Sequence, residues 1–229
     1  MLGYKAILFD LDDTLLNRDQ AVDNMFSIIL EKCYADVEHS VAHDMLRKFK
    51  EYDKRAYGDF NKANVLGSFF DEFSPRHKLP LNSLQDFWNH HFPQCFSINK
   101  ETMNIVHSIK QHAKVAIITN GSIQRQRAKI KNTKLNCCFD IVVISEEAGF
   151  SKPDKRIFEL TLNKLGVQPE DALLVGDDIV KDIGGCQDAD IKGVWCNPHK
   201  IVNDTEIKPY AEIDSFDRLF SIIGVSQPI

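Results

Sequence analysis

"AILFDLDDTLL" (6–16) sets three carboxylates, Asp10, Asp12 and Asp13, within four residues, straight after an apolar run. No basic residue stands beside them. Like charges this close repel, and each raises its neighbour's pKa. A chain that keeps them there needs something to balance them. The run that leads into them, "KAILFD" (5–10), is apolar nearly throughout, without alternation. A strand reads this way when both its faces are covered, as in a parallel sheet with helices on each side.

Four later runs have the same character: "VAIITN" (115–120), "DIVVIS" (140–145), "ALLVGD" (172–177) and "GVWCN" (193–197). Helical spacing lies between them. In "PDKRIFELTLNKL" (153–165), Phe158, Leu162 and Leu165 share a face, Pro153 suits the first turn and Gly166 the stop. Strands alternating with helices imply βαβ units and right-handed crossovers. The expected fold is therefore α/β, a Rossmann-like parallel sheet. Residues 18–97 break the pattern, with no strand run. Val22, Met25, Phe26, Ile29, Leu30 and Cys33 keep helical spacing, as do Val41, Met45, Phe49 and Tyr52. "ANVLGSFFDEF" and "SLQDFWNHHF" predict two more helices. The expected organisation is a discontinuous core, 1–17 with 98–229, and an inserted all-helical cap, 18–97. A last amphipathic helix is expected over 216–223.

Composition narrows the function. A chain of 229 residues can bury a large core, and a net charge of −5 argues against a nucleic-acid polymer as partner. No apolar stretch approaches the ~20 residues of a membrane span, and the N-terminal apolar run is too short for a signal peptide. None of the six cysteines forms a C-x-x-C pair, so buried free thiols in a reducing, cytoplasmic setting are expected.

The polar residues collect at strand ends. The first run ends in Asp10, the second in Thr119-Asn120-Gly121, and the fourth in Gly176-Asp177-Asp178, with Asp182 beyond. Lys152 follows the third strand. Ligands of parallel sheets bind outside the carboxyl ends of the strands, where these residues would converge. Clustered carboxylates are tolerable around a divalent cation, and oxygen-rich sites suit Mg²⁺ completed by a substrate phosphate. Thr119 and the N–H groups after it suit phosphate oxygens, and Lys152 suits phosphoryl charge. Asp10 can attack phosphorus. Asp12, two residues on along a strand, points to the same side and suits the acid and base steps.

"DLDDT", "ITNG", "SKPD" and "VGDDIVKD", in this order and at these strand ends, resemble the four motifs of the haloacid dehalogenase superfamily of phosphohydrolases. The resemblance spans nearly the whole chain, including a helical cap between the first two motifs. It implies Asp10 as nucleophile and Asp12 as acid/base. It implies Thr119, with Asn120, as phosphate-binding, and Lys152 as the charge-stabilising lysine. Mg²⁺ would be held by Asp10, the Asp12 backbone carbonyl and Asp177, with Asp182 supporting that shell. Asp13 is read as a turn residue and Asp178 as a helix cap. Lys155 competes with Lys152 in the same loop.

In the cap, Tyr57, Phe60 and Lys62 are the candidate substrate contacts, because aromatic and basic residues alternate over 52–62. His90 and His91 are adjacent and do not share a helix face, so they do not read as metal ligands. The expectation is a phosphatase acting on a small cytosolic phosphomonoester, as a monomer or homodimer. The segment "GVWCNPHK…IKPYAEIDSFDRL" resembles capped relatives that hydrolyse nucleoside 5′-monophosphates or flavin mononucleotide. Sugar phosphates and phosphoglycolate are the alternatives. Haloacid dehalogenation is disfavoured by Asp12, which those relatives lack. A non-catalytic binding module is disfavoured because no core catalytic residue is missing.

Overall fold

The computed structural model describes residues 3–224. Six strands, β1 (Ala6–Phe9), β2 (Lys114–Thr119), β3 (Ile141–Ile144), β4 (Ala172–Gly176), β5 (Lys192–Cys196) and β6 (Ala211–Ile213), form one sheet in the order β3-β2-β1-β4-β5-β6. Every pairing is parallel. β1 lies at the centre, between β2 and β4, and the Asp10 N–H extends its ladder to the Val175 carbonyl at 2.9 Å. The fold class expected from the sequence is the one observed.

The absence of alternation in the strands has its cause in the two faces. Ala6 and Leu8 of β1 pack with Ile157, Phe158, Leu162 and Leu165. These come from one helix, which follows α1 (Arg18–Cys33), α2 (His39–Arg55), α3 (Ala63–Glu72), α4 (Leu84–His91), α5 (Lys100–Lys110), α6 (Ile123–Asn132) and α7 (Ser145–Ala148) and is α8 (Lys155–Leu165). Ile7 and Phe9 face the other way, into a cluster with Ile105, Val106 and Ile109 of α5. Each of the Leu, Ile, Val and Phe side chains among these contributes roughly 1.5–3 kcal/mol by leaving water.

An all-helical insertion follows β1: α1 to α4, then a short 3₁₀ turn, Phe92–Cys95. Its inner face is aromatic. Phe49 and Phe69 pack edge-on at 5.4 Å, and Trp88 stacks over Phe92 at 4.7 Å. Val41, expected on the buried face of α2, is exposed; Met45, Phe49 and Asp53 are the residues α2 buries.

Three expectations need correction. Pro153 does not open α8: the Asp154 side chain caps that helix by accepting from the Arg156 N–H, so Pro153 precedes the cap. The tail is not one helix over 216–223 but a 3₁₀ turn, Phe216–Arg218, followed by Leu219–Ile223. β6 was not anticipated, because three residues are too few to show a pattern. Among the described residues no helix is long and apolar enough to cross a membrane. All six cysteines are free thiols; Cys137 is exposed and the other five are buried.

Candidate active site

The carboxyl ends of β1, β2 and β4 meet under the helical insertion. A cavity of 270 Å³ opens there, lined on the sheet side by Asp10, Asp12, Thr119, Asn120, Lys152 and Asp177. Each sequence-predicted residue of the core thus reaches one chamber. Asp182 also lines it.

Asp10, Asp177 and Asp182 each offer an oxygen within 4.8 Å of the others. Lys152 is buried among them. Its ammonium bonds the Asp10 carboxylate and lies 2.6 Å from Asp182 Oδ1, off the direction of a hydrogen bond. With all three carboxyls ionised, the group around one ammonium carries two net negative charges, the complement of a divalent cation. The donors are all hard oxygens, which suits Mg²⁺. Burial pushes the Asp10 carboxyl up, and Asp182 and Asp177 push further against the pull of Lys152. Burial, then Asp182 and Asp13, push Asp177 up to about 7. Burial acts to lower the Lys152 ammonium, but Asp10 and Asp182 outweigh it and hold it above the ordinary lysine value. Asp182 is thus one of the three carboxylates of the cluster, with its Oδ1 beside Lys152. The Asp12 carboxylate is outside the cluster.

Local chemistry explains how the loops reach these positions. A Cβ on Gly176 would meet the Asp182 side chain at 2.5 Å, so only glycine at the end of β4 lets that carboxylate in. The Trp195 indole N–H donates to the Asp177 carbonyl at 2.7 Å, and the Thr14 hydroxyl donates to Asp177 Oδ1 at 3.0 Å. Asn120 clips the lysine loop: its amide donates to the Lys152 carbonyl and its carbonyl accepts from the Lys152 N–H, both at 2.9 Å. Its side chain is thus engaged in holding Lys152. Ser122, not Thr119 or Asn120, caps α6. Asp13 sits at φ 61° and accepts from the Arg18 N–H, a turn residue as expected. Asp178 caps the turn after β4, accepting from the N–H groups of Val180 and Lys181.

Asp12 is the surprise. Lys129 of α6 grips both its oxygens, at 2.8 and 2.7 Å. Gln126 Nε2 donates to Asp12 Oδ2 at 3.1 Å and to Thr119 Oγ1 at 2.6 Å. Burial pushes the Asp12 carboxyl up, but the charge and hydrogen bonds of Lys129 outweigh it and hold it below the ordinary range.

The opposite wall comes from the insertion and from α6, and is cationic. Arg18 makes a two-point ion pair with buried Asp53, at 2.8 and 2.6 Å, between the rings of Tyr57 and Phe92. Lys62 donates to the Ala56 carbonyl, lies 3.9 Å from Asp53, and is pushed down to about 8 by burial. Arg125 faces the Phe60 ring and donates to the Asp59 carbonyl at 3.4 Å. Tyr57, Phe60 and Lys62 all line the cavity. His90 and His91 end α4, outside the acidic cluster. The sequence reading missed Arg18, Asp53, Trp88, Arg125, Gln126 and Lys129. The signal available for Gln126 and Lys129 was their spacing, three apart on the helix that follows "ITNG".

Comparison with known proteins follows the same lines. The model of the haloacid dehalogenase-like hydrolase family matches residues 7–196. The crystal structure of the HAD-hydrolase YfnB from Bacillus subtilis, bound to magnesium, superposes with a TM-score of 0.80 at 24% identity, over 97% of this chain and 99% of that one. The pyrimidine 5′-nucleotidase YjjG of Escherichia coli is 25% identical over 95% of this chain and 96% of its own. The glyceraldehyde 3-phosphate phosphatase of Pyrococcus furiosus is 29% identical over 93% and 89%. With four motifs converging on one cavity and a family match over most of its length, the chain belongs to the haloacid dehalogenase-like hydrolases.

Proposed function

We propose that the protein is a Mg²⁺-dependent phosphoric monoester hydrolase working through an aspartyl-phosphate on Asp10. The observation that carries this is the charge layout: a buried acidic cluster matched to a divalent cation, facing a cationic wall matched to a dianion. The proposed metal residues are Asp10, Asp177 and the Asp12 carbonyl, with Asp182 completing the cluster. The cation, when bound, neutralises charge on phosphoryl oxygens.

The chain's own residues do the rest. Thr119 and Lys152 orient the phosphoryl group, and Asn120 holds the Lys152 loop in reach. The Asp10 carboxylate attacks phosphorus and the ester P–O bond breaks. Asp12, which takes up a proton once the dianionic substrate sets negative charge beside it, gives that proton to the departing oxygen. Asp12 then takes a proton from water, the water oxygen attacks phosphorus, and the Asp10–phosphorus bond breaks to release phosphate. Residues 18–97 are the proposed cap that closes over the leaving group and excludes bulk water, on a core of 1–17 with 98–229.

For the substrate, a nucleoside 5′-monophosphate is favoured. Tyr57 and Phe60 offer exposed aromatic faces for a base, and the cavity of 270 Å³ suits a small leaving group better than a flavin. A pyrimidine nucleotidase stands among the relatives. A sugar phosphate is the second reading, favoured by the same small cavity and by the glyceraldehyde 3-phosphate phosphatase relative. The test is phosphate release from nucleotides, flavin mononucleotide, sugar phosphates and phosphoglycolate, with Mg²⁺ and then with EDTA. Mg²⁺-dependent release is the expected result, and silence from folded protein across the panel would overturn it.

A further inference from the structure

α6 carries three buried polar side chains that belong to none of the four motifs, Arg125, Gln126 and Lys129, and the last two meet Asp12. Gln126 is 2% exposed and Lys129 5%. They stand three apart, on the helix face turned to the cavity. Between them they supply every directed contact to the Asp12 carboxylate: two bonds from Lys129 and one from Gln126. Each carboxylate oxygen has two lone-pair sites, so these contacts fix the rotation of the group and still leave it acceptor sites. Gln126 does a second thing with the same nitrogen. By donating to Thr119 Oγ1 it fills an acceptor site of that hydroxyl and leaves the O–H proton free to point at an incoming phosphate oxygen.

The chain makes room for this arrangement. Gly121 lies at φ 142°, and a Cβ there would meet Gln126 Cγ and Cδ at 3.1 Å. The glycine of "ITNG" thus lets the Gln126 side chain fold back over the strand end. Lys129 is held from its other side, its ammonium 4.5 Å from the centre of the Phe96 ring and 5.9 Å from that of Phe92.

We propose that Gln126 and Lys129 are positioning residues for phosphoryl transfer: together they aim the Asp12 carboxylate and the Thr119 hydroxyl at the leaving oxygen and the phosphoryl group. The inference rests on the phosphatase function proposed above.

The test compares two phosphate esters on each variant. An alkyl phosphate needs a well-aimed proton donor, whereas p-nitrophenyl phosphate has a leaving group that departs without one. For wild type, Lys129→Met, Lys129→Arg and Gln126→Leu, kcat/KM is measured on both esters with saturating Mg²⁺. The ratio of the two values does not depend on how much of a preparation is folded. Lys129→Met should lose at least about tenfold more on the alkyl ester than on the activated one, since a positioned acid contributes 10²–10⁴-fold. Lys129→Arg should recover much of that difference. Gln126→Leu, which orphans no charge, should also shift the ratio, with a rise in KM on both esters from the misdirected Thr119. Equal losses on the two esters in both Lys129→Met and Gln126→Leu would overturn the inference and leave the phosphatase reading standing. A wild type inactive on both esters would overturn the reading beneath it.

Discussion

The two walls of the cavity are built on opposite plans. The sheet side concentrates negative charge: Asp10, Asp177 and Asp182 share a single lysine. The helical side concentrates positive charge: Arg18, Lys62, Arg125 and Lys129 stand against one enclosed carboxylate of their own, Asp53, and Lys129 reaches across to Asp12 of the sheet side. Neither wall is balanced alone, and each is short of the sign that its own ligand brings. A cation on one side and a dianion on the other would complete both. Imbalance on this scale costs stability in the empty protein, and a ligand that relieves it binds the more tightly for that reason.

The largest effect should come from the acidic wall. Asp10→Asn is expected to lower turnover about a thousandfold or more while the protein stays folded, because a like charge is removed from the cluster. Thermal melting without Mg²⁺ checks the second half: a melting point well below wild type would mean that Asp10 holds the fold and that the wall is not strained. Next comes Asp53→Ala on the cationic wall. It leaves Arg18 and Lys62 without their shared carboxylate, and should destabilise by about 3 kcal/mol, read by denaturant unfolding. An unchanged midpoint would break the picture of Asp53 as that wall's anchor.

A smaller effect should follow pH. Burial sets Lys62 at about 8, below its ordinary 10.5, with Arg18 and Arg125 adding repulsion against Asp53 and Asp59. Below pH 8 both the folded and unfolded forms hold the proton, and the folded form carries the full cost. Between pH 8 and 10.5 only the unfolded form holds it, so stability rises with pH across that window. Relative to Lys62→Met, the wild-type melting point should climb by a few degrees from pH 8 to 10.5. A flat difference would show that Lys62 is not the strained cation. The smallest effect belongs to Lys155→Met. Lys155 is exposed and, among the described residues, pairs only with Glu159 at 3.4 Å, so both stability and turnover should stay at wild type, whereas Lys152→Met should lose activity. A loss at Lys155 would reopen the choice between the two lysines.

The same contrast explains what the sequence made legible. The acidic wall lies at strand ends, each marked by an apolar run that stops in a polar residue, so Asp10, Thr119, Lys152 and Asp177 could be named before any coordinates. Their convergence follows from the parallel sheet itself. The cationic wall lies on helices, where a lysine such as Lys129 reads like any solvated residue of a basic segment. Only the fold brings it across 117 positions to Asp12. Arg18 and Asp53, 35 apart, are hidden in the same way. Asp182 was read from its place in the fourth motif, whereas the close approach of Gly176 that admits its side chain is visible only in three dimensions. The three-residue β6 and the split tail were lost because short elements carry too few residues to show a period.

One hydrophobic cluster runs unbroken from Phe9 and Val175 of the sheet, through Val22 and Met25 of α1, to Phe49, Phe69 and Trp88. Modularity ends at that seam. A helical insertion borrowed from a relative would bring its own half of the seam and leave Phe9's side unmatched, so a new specificity is more readily inherited by changing residues at the cavity wall than by exchanging the insertion whole.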